Sequence, residues 1–465
     1  MRKIAAANFA AAKKRNAISF RMRFYNREKE LAQLETIRQR SFSQHSQMTV
    51  ITGRRRIGKT KLILRSCEQT ATVYWFVGRG NEAALCRQFA GTASASLGVF
   101  IPEGILSFPV LFEYLMNIGK NTRFNLVIDE FQEFFNINPS VYSSVQDIWD
   151  RYKDYTKVNL IASGSVYSLM HRVFFEYSEP LYGRCDTIIR LKPFSLETLK
   201  EIIGDCHPEY SNDDLLALYT ITGGVPKYVE LLMDRGAFTV EEMMECCTEE
   251  NSIFLEEGNI LLIGEFGKRY GNYFSILSAI ASGRNTSSEI SQTVGEASVG
   301  GMLSRLEEDY ELIAKKRPVG AKPGSQNVRY EISDNFLRFW FRYVARNQDM
   351  VQAGLYGRLA ETVKADYPTY SGLTLERYFR QKLREEGIYK EIGSWWDSSK
   401  GKDVDQSEID IVAIEASEDR VLMAEVKRKR KNFKPDSFAE KVDRLRNRLF
   451  PKAEIITKVY TLEDM

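Results

Sequence analysis

The chain has 465 residues, 43% of them hydrophobic and 27% charged, a composition typical of a globular protein with several domains. The formal net charge is only +3, so any nucleic-acid binding must come from a local cluster of cations. No apolar run predicts a membrane span, and six cysteines without regular spacing argue against a disulfide framework or structural zinc site, as in a reducing cytoplasm.

The N-terminal segment is basic, rich in alanine and free of acidic residues. It weakly resembles a transit peptide, but it lacks the long apolar stretch of a secretory signal. We predict that residues 1–22 form a flexible tail that precedes the folded chain.

Short apolar runs then alternate with helical stretches. Four of them predict buried strands, namely MTVITG (48–53), TVYWFVG (72–78), FNLVIDE (124–130) and VNLIASG (158–164). Strands that alternate with helices are typical of parallel βαβ units, so this part of the chain predicts an α/β fold with a parallel sheet.

A phosphate-binding loop follows the first of these strands. The stretch GRRRIGKT fits G-x-x-x-x-G-K-[ST] between a strand and a helix, which is the context that this motif requires. Backbone N–H groups of such a loop and the helix N-terminus attract phosphate. Lys59 would reach the β- and γ-phosphates, and the Thr60 hydroxyl would bind Mg²⁺. The predicted nucleotide contacts in this loop are Gly53, Arg54, Arg55, Arg56, Ile57, Gly58, Lys59, Thr60 and Lys61.

Two acidic residues end the third predicted strand. Asp129 at this position can bind Mg²⁺ together with Thr60, and the adjacent Glu130 can orient or deprotonate an attacking water. Taken alone, the pair could also be two acids at a solvated strand end. Beside a phosphate loop, the metal and catalytic roles are favoured.

The middle of the chain is helical until it reaches a basic hairpin. SSEISQTVG and SVGGMLSRLEEDYEL predict a helix-turn-helix, and IAKKRPVGAKPGSQNVRYEIS predicts a β-wing, so residues 256–345 predict a winged helix. The second helix ends in acidic residues that would repel phosphate, whereas the wing is basic. DNA contact and a role in packing between domains both remain open.

A second hairpin is predicted near the C-terminus, in EIDIVAIEASEDRVLMAEVK. Its turn would place Asp410 opposite Glu425, with Lys427 on the same face of the next strand. Opposed carboxylates raise each other's pKa unless a cation neutralises them, and Mg²⁺ fits such a site. Alternatively, Asp410 and Glu425 pair with Lys427 and Arg428 in a charge cluster at a sheet edge.

The stretch from Arg420 to Lys452 carries 12 basic and four acidic residues. Cations at this density, beside a candidate metal site, are what binding to a nucleic-acid backbone requires. We therefore predict DNA as a partner of this region.

Six stretches together resemble the archaeal-type P-loop ATPases, which are AAA-related proteins close to the STAND ATPases. In chain order they are FYNREKEL, GRRRIGKT, LVIDEFQ, LIASGS, EPLYGR and ITGGVPKY. The resemblance implies a P-loop ATPase core over residues 23–194, a helical lid over 195–255, and ATP with Mg²⁺ as cofactors. It also implies site residues outside the loop: Asn26 and Arg27 near the adenine, Ser163 or Ser165 as a sensor, Pro226 in the lid, and Arg184 as an arginine finger within the chain or across a homo-oligomer interface.

Residues 371–430 resemble the PD-(D/E)XK nuclease superfamily, which predicts that residues 346–465 form a small α/β domain like that of restriction endonucleases. The match consists of Asp410, the Glu425–Lys427 triplet and an acid on the preceding helix, Glu376. The resemblance implies that Glu376, Asp410 and Glu425 bind a metal and that Lys427 is catalytic. The sequence thus predicts a cytoplasmic ATP-hydrolysing protein whose nuclease-like domain acts on DNA, with no membrane partner. The alternative is a non-cleaving ATP-dependent switch, or a DNA- or protein-binding module, with a degenerate nuclease domain.

Overall fold

A computed structural model describes the residues 22–102, 104–267, 270–322, 324–397 and 408–465. The predicted tail therefore lies outside the described residues, except for Met22. This residue is only 6% exposed and joins the hydrophobic core, so the folded chain begins no later than Met22.

A five-stranded parallel sheet forms the N-terminal half, as the alternation of strands and helices predicts. Its strands are β1 (Gln47–Thr52), β2 (Thr72–Phe76), β3 (Phe124–Asp129), β4 (Val158–Ser163) and β5 (Thr187–Arg190), in the spatial order β2-β3-β4-β1-β5. The strands β1, β3 and β4 are buried along their whole length, which explains their uninterrupted apolar runs. Because all the pairs are parallel, the carboxyl ends of β1 and β3 lie at the same edge of the sheet.

Helices cover both faces of this sheet. They are α1 (Glu28–Ser43), α2 (Lys59–Ser66), α3 (Glu82–Leu97), α4 (Phe108–Ile118), α5 (Phe134–Ile137), α6 (Ser140–Tyr152) and α7 (Tyr167–Phe175). One face packs against an aromatic-rich cluster centred on Trp75, and the other packs a smaller cluster that includes Leu34 of α1. The carboxyl edge of the sheet is left open between them.

The middle of the chain is a set of helices with one β-hairpin. The helices are α8 (Leu196–Cys206), α9 (Asn212–Thr222), α10 (Pro226–Asp234), α11 (Val240–Thr248), α12 (Ile253–Phe266), α13 (Tyr270–Ala281), α14 (Ser287–Val294), α15 (Gly300–Glu308) and α16 (Asn335–Tyr343). The hairpin pairs β6 (Ile313–Lys316) with β7 (Arg329–Ile332). The helices α14 and α15 and the β6–β7 hairpin thus lie where the sequence predicts two helices and a basic hairpin.

The C-terminal part is a mixed four-stranded sheet between two helices. It contains α17 (Gln348–Gln352), α18 (Tyr356–Glu386), β8 (Tyr389–Trp396), β9 (Glu408–Glu415), β10 (Arg420–Val426), α19 (Pro435–Leu449) and β11 (Glu454–Tyr460). The spatial order is β11-β10-β9-β8, and β10 pairs antiparallel with β9 but parallel with β11. Ile411 lies opposite Ala424, so the register is the one that the sequence predicts.

The helical middle of the chain and the C-terminal part share one hydrophobic core. A single cluster of buried residues extends from the helices α8–α12 through α16 and α18 to the inner face of the C-terminal sheet. Polar contacts reinforce this packing, because Arg428 after β10 forms a 2.6 Å ion pair with Asp213 of α9. Within the described ranges, no helix is both long and apolar enough to pass through a membrane.

Candidate functional site

The phosphate loop connects β1 to α2, and two glycines set its path. Gly53 (φ +147°) and Gly58 (φ +90°) both have positive φ values that favour glycine. A Cβ atom on Gly53 would lie 2.9 Å from the Leu191 carbonyl oxygen, so a larger residue there would displace the loop. The helix N-terminus that follows is therefore directed at the open edge of the sheet, where it can receive an anion.

Lys59 begins α2 and is buried in the loop. Its Nζ donates to the carbonyl oxygens of Gly53, at 2.8 Å, and Arg54, at 3.1 Å. Burial lowers its pKa to about 8, although the nearby carboxylates of Glu130 and Asp129 act in the opposite direction. The carboxylates thus offset only part of the cost of burying the charged ammonium, which lies where it can bind a phosphate.

Asp129 ends β3 beside the first turn of α2. Its carboxylate accepts hydrogen bonds from Thr60 Oγ1 (2.8 Å), Tyr74 OH (2.7 Å) and Ser163 Oγ (2.5 Å). The predicted partners Thr60 and Asp129 therefore lie together, and Ser163 is buried behind them. Tyr74 was not predicted, although its place near the end of the neighbouring strand β2 could have indicated it.

The adjacent Glu130 has a left-handed backbone (φ +57°), which directs its side chain away from that of Asp129. Its carboxylate accepts from the Ser165 hydroxyl at 2.7 Å and from the amide of buried Gln132. Of the two predicted sensor serines, Ser163 thus contacts Asp129, and Ser165 contacts Glu130. A strained backbone at a residue of this kind is common at functional sites.

A cavity of about 640 Å³ opens at this edge of the sheet. Nine of the predicted site residues line it: Arg55, Arg56, Gly58, Lys59, Thr60, Lys61, Glu130, Ser165 and Pro226. The cavity has the size and the polar lining that binding of a nucleotide requires.

Other predicted residues do not line this cavity. The Asn26 amide donates to the Thr198 hydroxyl, and Arg27 donates to the Lys192 carbonyl at 2.7 Å, so both fix the N-terminal segment to the region around α8. Arg184 forms a 3.2 Å ion pair with Asp150 on the surface. Its guanidinium is therefore not directed at the nucleotide cavity of its own chain. Ile57 is 1% exposed and packs in the core, so it shapes the loop from behind.

Two arginines of the phosphate loop bind acids of the helical region. Arg54 forms an ion pair with Asp334, the N-cap residue of α16. Arg56 forms two 3.0 Å hydrogen bonds to Glu257 of α12, a fully buried carboxylate that also accepts from Tyr228. The acidic partners, Asp334 and Glu257, were missed because nothing in the sequence links them to a loop more than 200 residues away.

The predicted C-terminal carboxylates meet a cation of the chain. Lys427 Nζ lies 3.3 Å from Asp410 and 3.0 Å from Glu425, and Lys441 is 3.5 Å from Glu425. Burial would lower the pKa of Lys427, but these two carboxylates raise it, so the lysine is charged at neutral pH. For Lys427, the structure therefore agrees with the alternative prediction, in which the two carboxylates form a charge cluster with nearby cations.

Glu376 lies on α18 and bonds Arg380 at 3.4 Å. Burial, and then the nearby Asp410 carboxylate, raise the pKa of Glu376. In the part of the chain that the structure describes, no three His, Cys, Asp or Glu residues are grouped so that they could hold a metal ion. Glu376 thus pairs with Arg380, and Asp410 and Glu425 pair with Lys427, so metal binding by the three acids stays a prediction.

The phosphate loop, the strand-end aspartate and the order of the parallel sheet define a P-loop ATPase. Residues 24–232 match the family described as an ATPase domain predominantly from Archaea. An uncharacterized protein of Methanocaldococcus jannaschii is 30% identical over 414 residues, which is 87% of each chain. The chain belongs to this archaeal ATPase family, and ATP is its nucleotide, as the sequence predicts.

Solved structures have a similar fold. The Walker-type ATPase PABY2304 of Pyrococcus abyssi has a TM-score of 0.53 at 19% identity, covering 69% of this chain and 96% of that chain. The Aeropyrum pernix ORC2 protein, in ADPNP–ADP complexes, has a TM-score of 0.48 at 15% identity, covering 74% and 97%. Residues 340–438 match a family described as archaeal and bacterial proteins of unknown function. The nuclease resemblance therefore stays a prediction.

Proposed function

We propose that this ATPase is a switch in which the nucleotide controls how a winged-helix unit, residues 256–345, and a DNA-binding C-terminal unit, residues 346–465, are held against the ATPase core. One observation carries the proposal. Arg56 lines the nucleotide cavity and, at the same time, forms two hydrogen bonds to Glu257 of α12. A phosphate entering the cavity competes with Glu257 for this guanidinium, and the competition links the cavity to the helices.

The residues at the edge of the sheet fit Mg²⁺ bound with ATP. The Thr60 hydroxyl and the Asp129 carboxylate are hard oxygen ligands, 2.8 Å apart and next to the phosphate loop. Bound Mg²⁺ would neutralise charge on the phosphate oxygens. Lys59 would exchange its two carbonyl partners for phosphate, and Glu130, once released from Ser165, would orient the attacking water.

Arg184 would complete the site of a second copy of the chain. Its surface position and its weak, exposed pairing with Asp150 support a role across a homo-oligomer interface. Mixing Lys59→Ala with Arg184→Ala tests this role, because mixed oligomers would contain some sites with both residues intact. Turnover should recover on mixing, whereas an inactive mixture would exclude the role.

Exposed cations after β10 support binding of the DNA backbone. Lys429, Arg430, Lys431 and Lys434 are exposed, whereas Lys427, Arg428 and Lys441 pair with carboxylates. The cluster at 429–434 would make salt-dependent, sequence-independent contacts with phosphates. Within the predicted basic region, the exposed cations are therefore the ones that remain available to bind DNA.

DNA binding in the presence and absence of a slowly hydrolysed ATP analogue tests the switch. In the wild type, the analogue should change the DNA dissociation constant at least threefold, measured by fluorescence anisotropy at fixed salt. Glu257→Gln should bind the analogue more tightly, because Arg56 is freed, and should lose the response of DNA binding. Glu256→Gln, on the same helix, is the matched control. An equal response in wild type and Glu257→Gln would overturn the proposal.

A second candidate function is metal-dependent DNA cleavage by the C-terminal unit. It is favoured by the placement of Asp410, Glu425 and Lys427 together at the end of one hairpin, in the register that the resemblance requires. Incubation of plasmid and single-stranded DNA with Mg²⁺ or Mn²⁺ tests it. Cleavage that is lost in both Asp410→Ala and Glu425→Ala would support the nuclease, and binding without cleavage would support the switch alone.

A further inference from the structure

A second cavity lies between the β6–β7 hairpin and the helix α18. Its volume is about 470 Å³, and β8 and α16 complete its walls. Among the described residues that line it, eight side chains are cationic and four are acidic. It is separate from the nucleotide cavity, with which it shares no lining residue.

Most of its charges are already paired. Glu331 lies 2.9 Å from both Lys316 and Arg377, and Arg329 lies 3.0 Å from Glu408. Arg342 bonds Asp366 through two 3.0 Å hydrogen bonds. These pairs hold the hairpin and α16 against the C-terminal part of the chain.

Arg338 of α16 differs from these residues because its charge is not paired in this way. Its Nη1 is inaccessible to solvent and has no hydrogen-bond partner, and among the described residues its guanidinium makes no ion pair. Burial, and then the charge of Arg377, lower its pKa, and the nearby Glu331 and Glu376 offset this only in part. A guanidinium kept in this state destabilises the protein unless an anion compensates it.

Other unpaired cations extend the same surface. Lys315 and exposed Arg317 line the cavity, and neither forms an ion pair within the described ranges. The Arg338 guanidinium carbon also lies 5.7 Å from the centre of the Tyr370 ring, a cation–π contact that helps to hold the side chain in place.

We propose that this cavity binds a small phosphate-bearing anion, no larger than a nucleotide, and that Arg338 is its central ligand. The volume lies within the range of small-molecule sites, about 300–1,000 Å³, and is too small for a duplex. Phosphate suits the site because it is multiply charged and accepts bidentate hydrogen bonds from arginine. A ligand here would bridge the hairpin, α16 and α18.

Calorimetric titration of the full chain tests the site, with Lys59→Ala as the background so that binding in the phosphate loop is weakened. The probes are inorganic phosphate, pyrophosphate and AMP. We expect one site for at least one probe, weakened at least tenfold by Arg338→Gln and less than twofold by Arg358→Gln, an exposed arginine of α18 outside the cavity. AMP binding more tightly than pyrophosphate would identify a nucleotide, and the reverse would identify the phosphate groups alone.

Thermal unfolding separates binding from a structural role. Without ligand, Arg338→Gln should be at least as stable as the background, because an uncompensated charge is removed, but it should lose the rise in Tm that the ligand causes. If Arg338→Gln fails to fold, exposed Arg317→Gln should weaken binding at least threefold. No binding by any probe, or equal binding by Arg338→Gln and Arg358→Gln, would overturn the proposal. Neither of these two outcomes would affect the proposal that ATP acts as a switch.

Discussion

Lys59 carries the phosphate chemistry of the ATPase site, and its ammonium donates to two backbone carbonyls of the loop. Its role could be predicted from the sequence, because the strand, loop and helix of its motif are contiguous. The contacts of Glu257 and Asp334 could not be predicted in this way. They contact the loop over separations of 201 and 280 residues, and only the folding of the whole chain brings them together.

ATP binding should be linked to a proton on Lys59. Burial lowers its pKa to about 8, and nearby phosphate will raise that pKa, so binding above pH 8 takes up a proton. The ATP dissociation constant should therefore increase as the pH rises through 8, approaching about tenfold per pH unit. Titration calorimetry at pH 9 in two buffers of different ionisation enthalpy measures the uptake.

Two variants complete this test. Lys59→Arg should bind without proton uptake, because arginine stays charged, whereas Lys61→Gln should keep the wild-type linkage. Wild-type binding at pH 9 with no dependence on the buffer would contradict this assignment of the Lys59 pKa.

At the scale of elements, the strands with long apolar runs were predicted, including the edge strand β2. β1, β3 and β4 are covered on both faces and form apolar runs, and the β9–β10 register follows from the position of the turn. The edge strands β5 and β11 were not predicted. Both have several exposed or half-buried positions, so they lack the continuous apolar pattern.

Glu331 joins the β6–β7 hairpin to α18. Burial acts to raise its pKa, but Arg377 and Lys316 hold the pKa well below its ordinary value. The stabilisation is therefore fully present above about pH 4.5 and is lost as the pH falls through the lower folded-state pKa. Glu331→Gln should lower the free energy of unfolding by roughly 2 kcal/mol at pH 7, less than for a fully buried pair.

Urea unfolding at pH 7 and pH 3 measures this effect. The difference between the wild type and Glu331→Gln should shrink at pH 3, because the carboxyl is then protonated in the unfolded chain and its ionisation in the folded chain no longer stabilises as much. Glu391→Gln, an exposed acid of β8, serves as the control and should change stability little at either pH. A difference that is constant with pH would show that the ion pairs of Glu331 do not stabilise the hairpin.

Lys427 neutralises the two carboxylates at the end of the β9–β10 hairpin. Lys427→Met should destabilise the chain by roughly 2 kcal/mol, because like charges then remain on neighbouring strands in a half-buried site. Adding Asp410→Asn to this variant should restore part of the loss. Denaturant midpoints measure both effects, and exposed Lys429→Met is the control. If Lys427→Met is as stable as that control, the lysine does not neutralise the pair.

At the scale of the whole molecule, the helices and the C-terminal sheet share one hydrophobic cluster, whereas the ATPase sheet packs in two clusters of its own. One hydrophobic cluster includes residues from α8 to β10, and the pairs Arg56–Glu257 and Arg428–Asp213 cross between its parts. The α/β class with its parallel sheet was predictable from local motifs and from the family resemblance. These cross-links were not, since each joins side chains that no short motif contains.

Hydrogen–deuterium exchange of the full chain, with and without a slowly hydrolysed ATP analogue, tests the central claim that the nucleotide acts on the helices through the phosphate loop. We expect the analogue to protect the loop and to increase exchange in α12 and at the start of α16, as Arg56 and Arg54 exchange carboxylate for phosphate. Lys59→Ala should show neither change. Protection of the loop in the wild type, with unchanged exchange in α12 and α16, would contradict the account.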